Sequence, residues 1–282
     1  MSTEQAFQAI VRNCLDHIEG NEAGVSRYRD PESLHQMRVG LRRLHAAFAL
    51  FRKVLHVPPM FNDELDWLMG QLGPLRDWDV FIELTLPRVV AGLPGYAGLD
   101  KVRDAALEKS TLLFAQACMA VSSERFGKFI RTLDQWGDQR GWRHELSVKN
   151  SLDMRVREFA NAIVAQEQQR LLKRGRKLKR ADAGQRHRVR IAAKRTRYAI
   201  GFFSALYSGK RMRRYVQALS SVQKQLGWLN DAAVASRLLG EACDDSAGAA
   251  LVRGYLAAFG EIGVRRLRKR WKKFKTLSVV CE

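Results

Sequence analysis

Proline disappears from this sequence after its first third. All six prolines fall at or before Pro94, so nothing downstream is closed to helix by that residue. Strand signals are nearly absent too. Apolar and polar residues seldom alternate, and there is no Asn-Gly or Asp-Gly hairpin turn. The four cysteines, Cys14, Cys118, Cys243 and Cys281, lie far apart with no CxxC pair, which predicts free thiols in a cytosolic protein. Long apolar runs are missing. The nearest, residues 247–264, is interrupted by Arg253 and Glu261, so no membrane span is expected. The opening Met1-Ser2-Thr3-Glu4 has neither a basic n-region nor an apolar h-region, so no signal peptide is expected and the predicted location is cytoplasmic. Acidic residues are outnumbered: 29 Asp and Glu stand against 49 Lys and Arg, for a net charge of +20. Such an excess repels itself unless a counter-charge is present, which points to a polyanionic partner. Arg outnumbers Lys roughly two to one, and its planar fork matches phosphate oxygens where Lys acts as a point charge.

What the chain does contain is helical spacing. Apolar residues make up 46% of it, enough for a real core, and they recur with helical period throughout. The pattern predicts about eight main helices, near 4–20, 31–56, 60–88, 98–120, 122–140, 150–178, 184–207 and 210–242, with a last long one near 247–276. Asp30, Pro31 and Glu32 mark one start clearly: a cap, a proline at the first helical position and a charge that complements the dipole. A similar start near Asp182 lacks the proline. Long helices joined by short loops predict an all-α bundle architecture.

An internal repeat organises the chain. His35-Gln-Met-Arg-Val-Gly-Leu-Arg-Arg43 is echoed by His187-Arg-Val-Arg-Ile-Ala-Ala-Lys-Arg195, with Phe51 matching Phe203 and Leu55 matching Tyr207. Leu72-Gly-Pro-Leu-Arg-Asp77 is echoed by Leu226-Gly-Trp-Leu-Asn-Asp231, and Val80 by Val234. Both blocks keep their order and spacing, which predicts two similar halves, about 1–145 and 146–282, within a single domain spanning 1–282.

A helical residue turns about 100° from the last. Met37, Leu41, Leu44, Phe48, Phe51 and Leu55 then share one arc, the core face. His35, Arg38, Arg42 and His45 share another, beside the core arc rather than opposite it. In the second copy Val189, Ala193, Thr196, Ile200, Phe203 and Tyr207 form the inner arc, and His187, Arg190, Lys194 and Arg197 the basic one. The spacing i, i+3, i+7, i+10 sets cationic heads about 5 Å apart along the axis, a repeat on the scale of a condensed phosphate chain. No carboxylate lies within either arc. Arg43 and Arg195 point in a third direction, either flanking an anion or pairing with Asp77 and Asp231; for these aspartates an ion-pair role is favoured over a catalytic one. Near the C-terminus Val264, Leu267, Trp271 and Phe274 form an apolar stripe flanked by Arg265, Arg268, Lys272 and Lys275. The segment from Arg170 to Arg180, including Arg174, is also cationic.

The stretch from Asp30 to Leu44 closely resembles the first signature of CHAD domains, the conserved-histidine alpha-helical domains, and His187 to Tyr198 resembles the second. The resemblance covers nearly the whole chain. It implies two pseudo-symmetric antiparallel four-helix bundles with a basic central groove or pore, binding of inorganic polyphosphate, and association with polyphosphate or polyester storage granules. The implied ligands are His35, Arg38, Arg42, Arg43, His187, Arg190, Lys194, Arg195 and Arg197; the basic arc adds His45 as a candidate, and the cationic linker and last helix add Arg174, Arg265, Arg268 and Lys272 as secondary contacts. His45 departs from the signature, which often has Arg there. The alternating Glu-x-Glu-x-Lys of a triphosphate-tunnel domain is missing, so a stand-alone member is expected. No cofactor is implied, and no HxxxH or His/carboxylate cluster has metal-ligand spacing. The competing reading is a nucleic-acid-binding protein using the same basic surface. It lacks the helix-turn-helix or stacking platform such proteins show. Catalysis is not expected: Gly92, Gly95 and Gly98 lack the Lys-Ser/Thr of a phosphate loop, and no nucleophile-base constellation is evident.

Overall fold

The computed structural model describes residues 1–96, 98–144, 152–207, 209–242 and 247–278. Cys243 and Cys281 lie outside them. The fold is all-α. Among the described residues there are nine α-helices of fifteen residues or more and no sheet, only an isolated bridge between Ser2 and Arg155. In chain order the helices are α1 Thr3–Glu19, α2 Glu22–Ser26, α3 Pro31–Phe51, α4 Pro59–Val80, α5 Leu86–Gly92, α6 Gly98–Val121, α7 Glu124–Asp138, α8 Val156–Gly175, α9 Ala183–Phe202, α10 Lys210–Ala242 and α11 Ala247–Phe274.

Local chemistry sets several of these boundaries. Ser2 and Gln5 form a reciprocal capping box at α1. The Asp30 carboxylate accepts from the backbone N–H groups of Glu32 and Ser33 at α3, and Asp182 and Gln185 cap one another's backbone at α9. The stretch expected as one helix from 60 to 88 is broken differently. It passes Pro74, then takes a π-helical turn over Phe81–Thr85 before α5 begins. Pro87 falls in the first turn of α5, where its missing N–H is not needed.

α3 and α9 stop earlier than their apolar spacing predicts, and at matching places. After Phe51 the chain turns, with Val54 and Leu55 donating back to the Phe51 carbonyl. After Phe202 it enters a short turn, with Leu206 donating to the Phe203 carbonyl. Leu55 is buried without being helical, whereas Tyr207 is half-buried, less enclosed than an inner-arc position implies.

The chain forms two compact units. The first comprises residues 1–74, 114–166 and 198–206. Its core gathers Phe7, Phe48, Phe51, Trp136 and Trp142 at ring separations of 4.9–6.3 Å. α1 lies against α3 at Gly40, where a Cβ would stand 2.7 Å from Ile18. Glu4, buried, accepts from the Trp142 indole at 2.9 Å and from Arg143. Cys14 is a buried free thiol, its pKa pushed up to about 11 by burial. The second unit comprises 75–113, 167–197 and 207–282. Its core includes Trp78, Phe81, Val89, Val102, Leu238 and Val252, with α10 and α11 packed along one another. α4, α6, α8 and α9 each contribute residues to both units. The repeat halves read from the sequence, 1–145 and 146–282, divide the chain by likeness; the compact units draw on both.

Candidate functional site

In the first unit the Asp30 cap fixes where α3 begins, and the register follows. Met37, Leu41, Leu44, Phe48 and Phe51 are buried. His35, Arg38, Arg42 and His45 run half-buried beside them. Arg38 is positioned by α4: its Nη1 donates to the Met69 carbonyl at 3.1 Å and passes over Gly73, where a Cβ would stand 3.4 Å from the same nitrogen. The glycine of the second repeated block thus makes room for the arginine of the first. Arg42 Nε is buried and has no hydrogen-bond partner among the described residues. A buried guanidinium N–H left without an acceptor is costly, and an anion oxygen would supply one. Arg43 is engaged elsewhere. Its Nη2 donates to Asn13 Oδ1 at 3.1 Å, and its guanidinium lies 5.8 Å from the Phe202 ring centre.

The α9 stripe of the second unit is more open. His187 and Arg197 are exposed, while Arg190 and Lys194 are half-buried. His187 Nδ1 lies 3.4 Å from Asn230 Oδ1, and the Asn230 amide lies 3.5 Å from Asp231 Oδ1. Asp231 stands in the field of Arg190 and Lys194, yet burial holds its carboxyl above the usual carboxylate range. Arg190, the Asn230 hydrogen bond and Lys194 pull it down, and Asp77 adds to the rise. No carboxylate lies within the α9 arc itself; the structure brings one in from α10. Arg197 Nη1 reaches Gln223 Oε1 at 3.4 Å.

Arg195 and the aspartates are ion-paired or in a cationic field, though Arg195 pairs with a carboxylate other than the one considered. Arg195 Nη2 donates to Glu167 Oε1 at 3.1 Å, and Glu167 also receives Arg170 at 2.6 Å. Asp77 accepts from Arg237 Nη2 at 3.2 Å. Asp77 is therefore ion-paired with a residue of α10, and Asp231 stands in the field of two cations of α9, the helix that also carries Arg195. Arg195 Nε, like Arg42 Nε, is buried without a hydrogen-bond partner among the described residues.

The basic end of α11 forms a separate surface. Leu267, Trp271 and Phe274 are buried in the second unit and Val264 is half-buried, so most of the apolar stripe is part of the core. Trp271 lies on Gly175 at the end of α8, where a Cβ would come within 1.9 Å of the ring. Beside this contact Arg265, Arg268 and Lys272, with Arg176 and Lys179, line a groove of about 780 Å³. Arg174 is exposed in the last turn of α8 and is not among the lining residues. Arg265 reaches Glu261 only at 3.9 Å, both largely exposed, a pair of little energetic weight.

Among the described residues no three His, Cys, Asp or Glu side chains gather as around a metal ion, and no described helix is long and apolar enough to cross a membrane.

The sequence profile of the CHAD domain matches residues 9–240. The crystal structure of the CHAD domain from the plant Ricinus communis is 37% identical, with a TM-score of 0.83, over 96% of this chain and 91% of that one. PptA from Streptomyces chartreusis shares the fold, with a TM-score of 0.70 and 16% identity over 96% of this chain and 100% of that one. No curated protein matches the chain.

Proposed function

The chain belongs to the CHAD family of non-catalytic binding modules, and from that premise we propose that it binds inorganic polyphosphate on the basic stripes of α3 and α9. The observation that carries this reading is Arg42 Nε, a buried donor without a hydrogen-bond partner among the described residues, within a row of half-buried cations. His35, Arg38, Arg42 and His45 would meet phosphates along α3, and His187, Arg190, Lys194 and Arg197 along α9. Arg43 and Arg195, already engaged by Asn13 and Glu167, would hold the stripes in place and offer their remaining N–H groups. Arg174, Arg265, Arg268 and Lys272 would add secondary contacts. The proposal includes the pseudo-symmetric four-helix bundles and basic groove implied by the resemblance, and a cytoplasmic protein that can associate with polyphosphate or polyester granules.

Calorimetry with long polyphosphate and with pyrophosphate tests it. A stripe predicts that affinity rises with phosphate number; equal affinity for both ligands would rule it out. The double variants Arg38→Gln/Arg42→Gln and Arg190→Gln/Lys194→Gln should each weaken long-chain binding by about tenfold or more while helicity by circular dichroism is kept. A silent pair removes that stripe from the site. Competition with duplex DNA at physiological salt checks the partner: preferential displacement of polyphosphate by DNA would reassign the surface to nucleic acid.

A further inference from the structure

The second unit contains a cavity that the basic stripes do not explain. It is about 930 Å³, walled by the π-helical turn, α5, α10 and α11, and is within the size range of small-ligand sites. Three exposed large apolar residues line it together: Leu84 at 46% exposure, Phe259 at 39% and Ile262 at 41%. Exposed apolar side chains gathered in one concavity, rather than scattered, mark a binding surface.

Its aromatic wall is built, not incidental. Tyr255 and Phe259, one turn apart on α11, stack with centroids 4.4 Å apart and planes 20° from parallel. The Tyr255 hydroxyl donates to the Arg88 carbonyl at 3.2 Å. The ring rests on Gly92, where a Cβ would come within 2.6 Å. Trp228 rests in the same way on Gly263, again at 2.6 Å. Two glycines therefore admit two rings, and the stack ends on the exposed Phe259.

The cavity is also cationic. Arg88, Lys224, Arg266 and Arg270 line it, and its carboxylate among the described residues is Asp231, which already stands in the field of Arg190 and Lys194. Arg266 lies seven residues beyond Phe259 on the same helix, about 10.5 Å along the axis, with Arg270 one turn further. Arg270 is oriented by its donation to the Ser221 carbonyl at 2.9 Å. A flat ring platform at one end and guanidinium groups two and three turns away match a molecule with an aromatic base at one end and a short run of phosphates at the other.

We propose that this cavity binds a nucleoside di- or triphosphate, its base continuing the Tyr255–Phe259 stack and its phosphates directed toward Arg266 and Arg270. Inorganic polyphosphate has no ring to place on Phe259. A single strand needs a succession of platforms, whereas this stack ends in one open face. The site includes no residue of the stripes on α3 and α9, although Asp231 in its wall faces Arg190 and Lys194, so the α3 stripe is the independent control.

Calorimetry with ATP, adenosine, tripolyphosphate and a short single-stranded oligonucleotide tests the proposal on the whole chain. ATP should bind more tightly than adenosine. Phe259→Ala should weaken ATP binding about tenfold through the lost stacking and leave tripolyphosphate binding unchanged. Arg266→Gln should weaken ATP without affecting adenosine. Both side chains are exposed, and circular dichroism verifies the fold. Arg38→Gln/Arg42→Gln should preserve the Phe259-dependent part of ATP binding, which separates this site from the α3 stripe. ATP binding no tighter than adenosine, or unchanged in Phe259→Ala, overturns the proposal. An oligonucleotide that displaces ATP and binds more tightly overturns the mononucleotide assignment in favour of a strand end.

Discussion

Asp231 is the residue at which charge and burial oppose each other most directly. Two cations and an amide favour its carboxylate, but burial outweighs them and the folded pKa lies above the ordinary value. The native state then holds a proton that the unfolded chain releases, so stability falls as pH rises from about 3.9, the unfolded value, to the folded value. Above that window the ionised group remains a cost. Asp231→Asn should therefore match wild type in acid and exceed it in stability at neutral pH, as denaturant melts at both pH values would record. The same substitution removes an anion beside Arg190 and Lys194, so polyphosphate should bind the variant more tightly. A variant that is less stable at neutral pH would mean that the ion pairs outweigh burial. At this scale the sequence disclosed the recurrence of Asp77 and Asp231 but not their neighbours. Arg237 for Asp77 and Glu167 for Arg195 depend on the register between helices, which one helical wheel does not contain. That Arg42 runs beside the core face was legible because both faces belong to one helix.

Helices were the most legible level, since a 3.6-residue apolar period is a local property and the Asp30-Pro31-Glu32 start could be read directly. Their ends were not. Leu55 continues the apolar period, but a turn buries it as well as a helix would, so the period overran α3. The π-helical turn before α5 was hidden for the same reason: side-chain spacing does not disclose which carbonyl an N–H selects. The cap at α3 offers a measurable consequence. Asp30→Ala removes acceptors for two backbone N–H groups and the Ser33 hydroxyl and should cost about 1 kcal/mol in urea melts at neutral pH. The Ser33 hydroxyl, with the Glu32 and Ser33 N–H groups, holds the Asp30 carboxyl below its usual range. Its contribution is therefore full above the unfolded aspartate value and is lost as pH falls through the folded one. The gap between wild type and Asp30→Ala should shrink in acid. A gap that is constant with pH would assign the loss to helix propensity rather than to the charged cap.

The chain carries a net charge of +20, and that excess makes two predictions of opposite sign. Within the free protein the cations repel one another, and salt screens the repulsion over a Debye length of about 10 Å at 0.1 M. The melting temperature of the free chain should therefore rise as salt is added from a low starting value. Bound polyphosphate stabilises by mass action, in proportion to the logarithm of ligand concentration over Kd. That Kd weakens with salt, because each neutralised phosphate releases counterions to a solution already rich in them. The increment in melting temperature on adding long polyphosphate should therefore be largest at low salt and decline steadily. The free and bound curves should therefore converge as salt is added. Thermal scans at fixed polyphosphate across a salt series would show it, and Arg38→Gln/Arg42→Gln should flatten the bound curve more than the free one, having lost contacts with the polymer. An increment that does not change with salt would mean that the ligand is held by few ionic contacts, and the basic stripes would then not be what binds it.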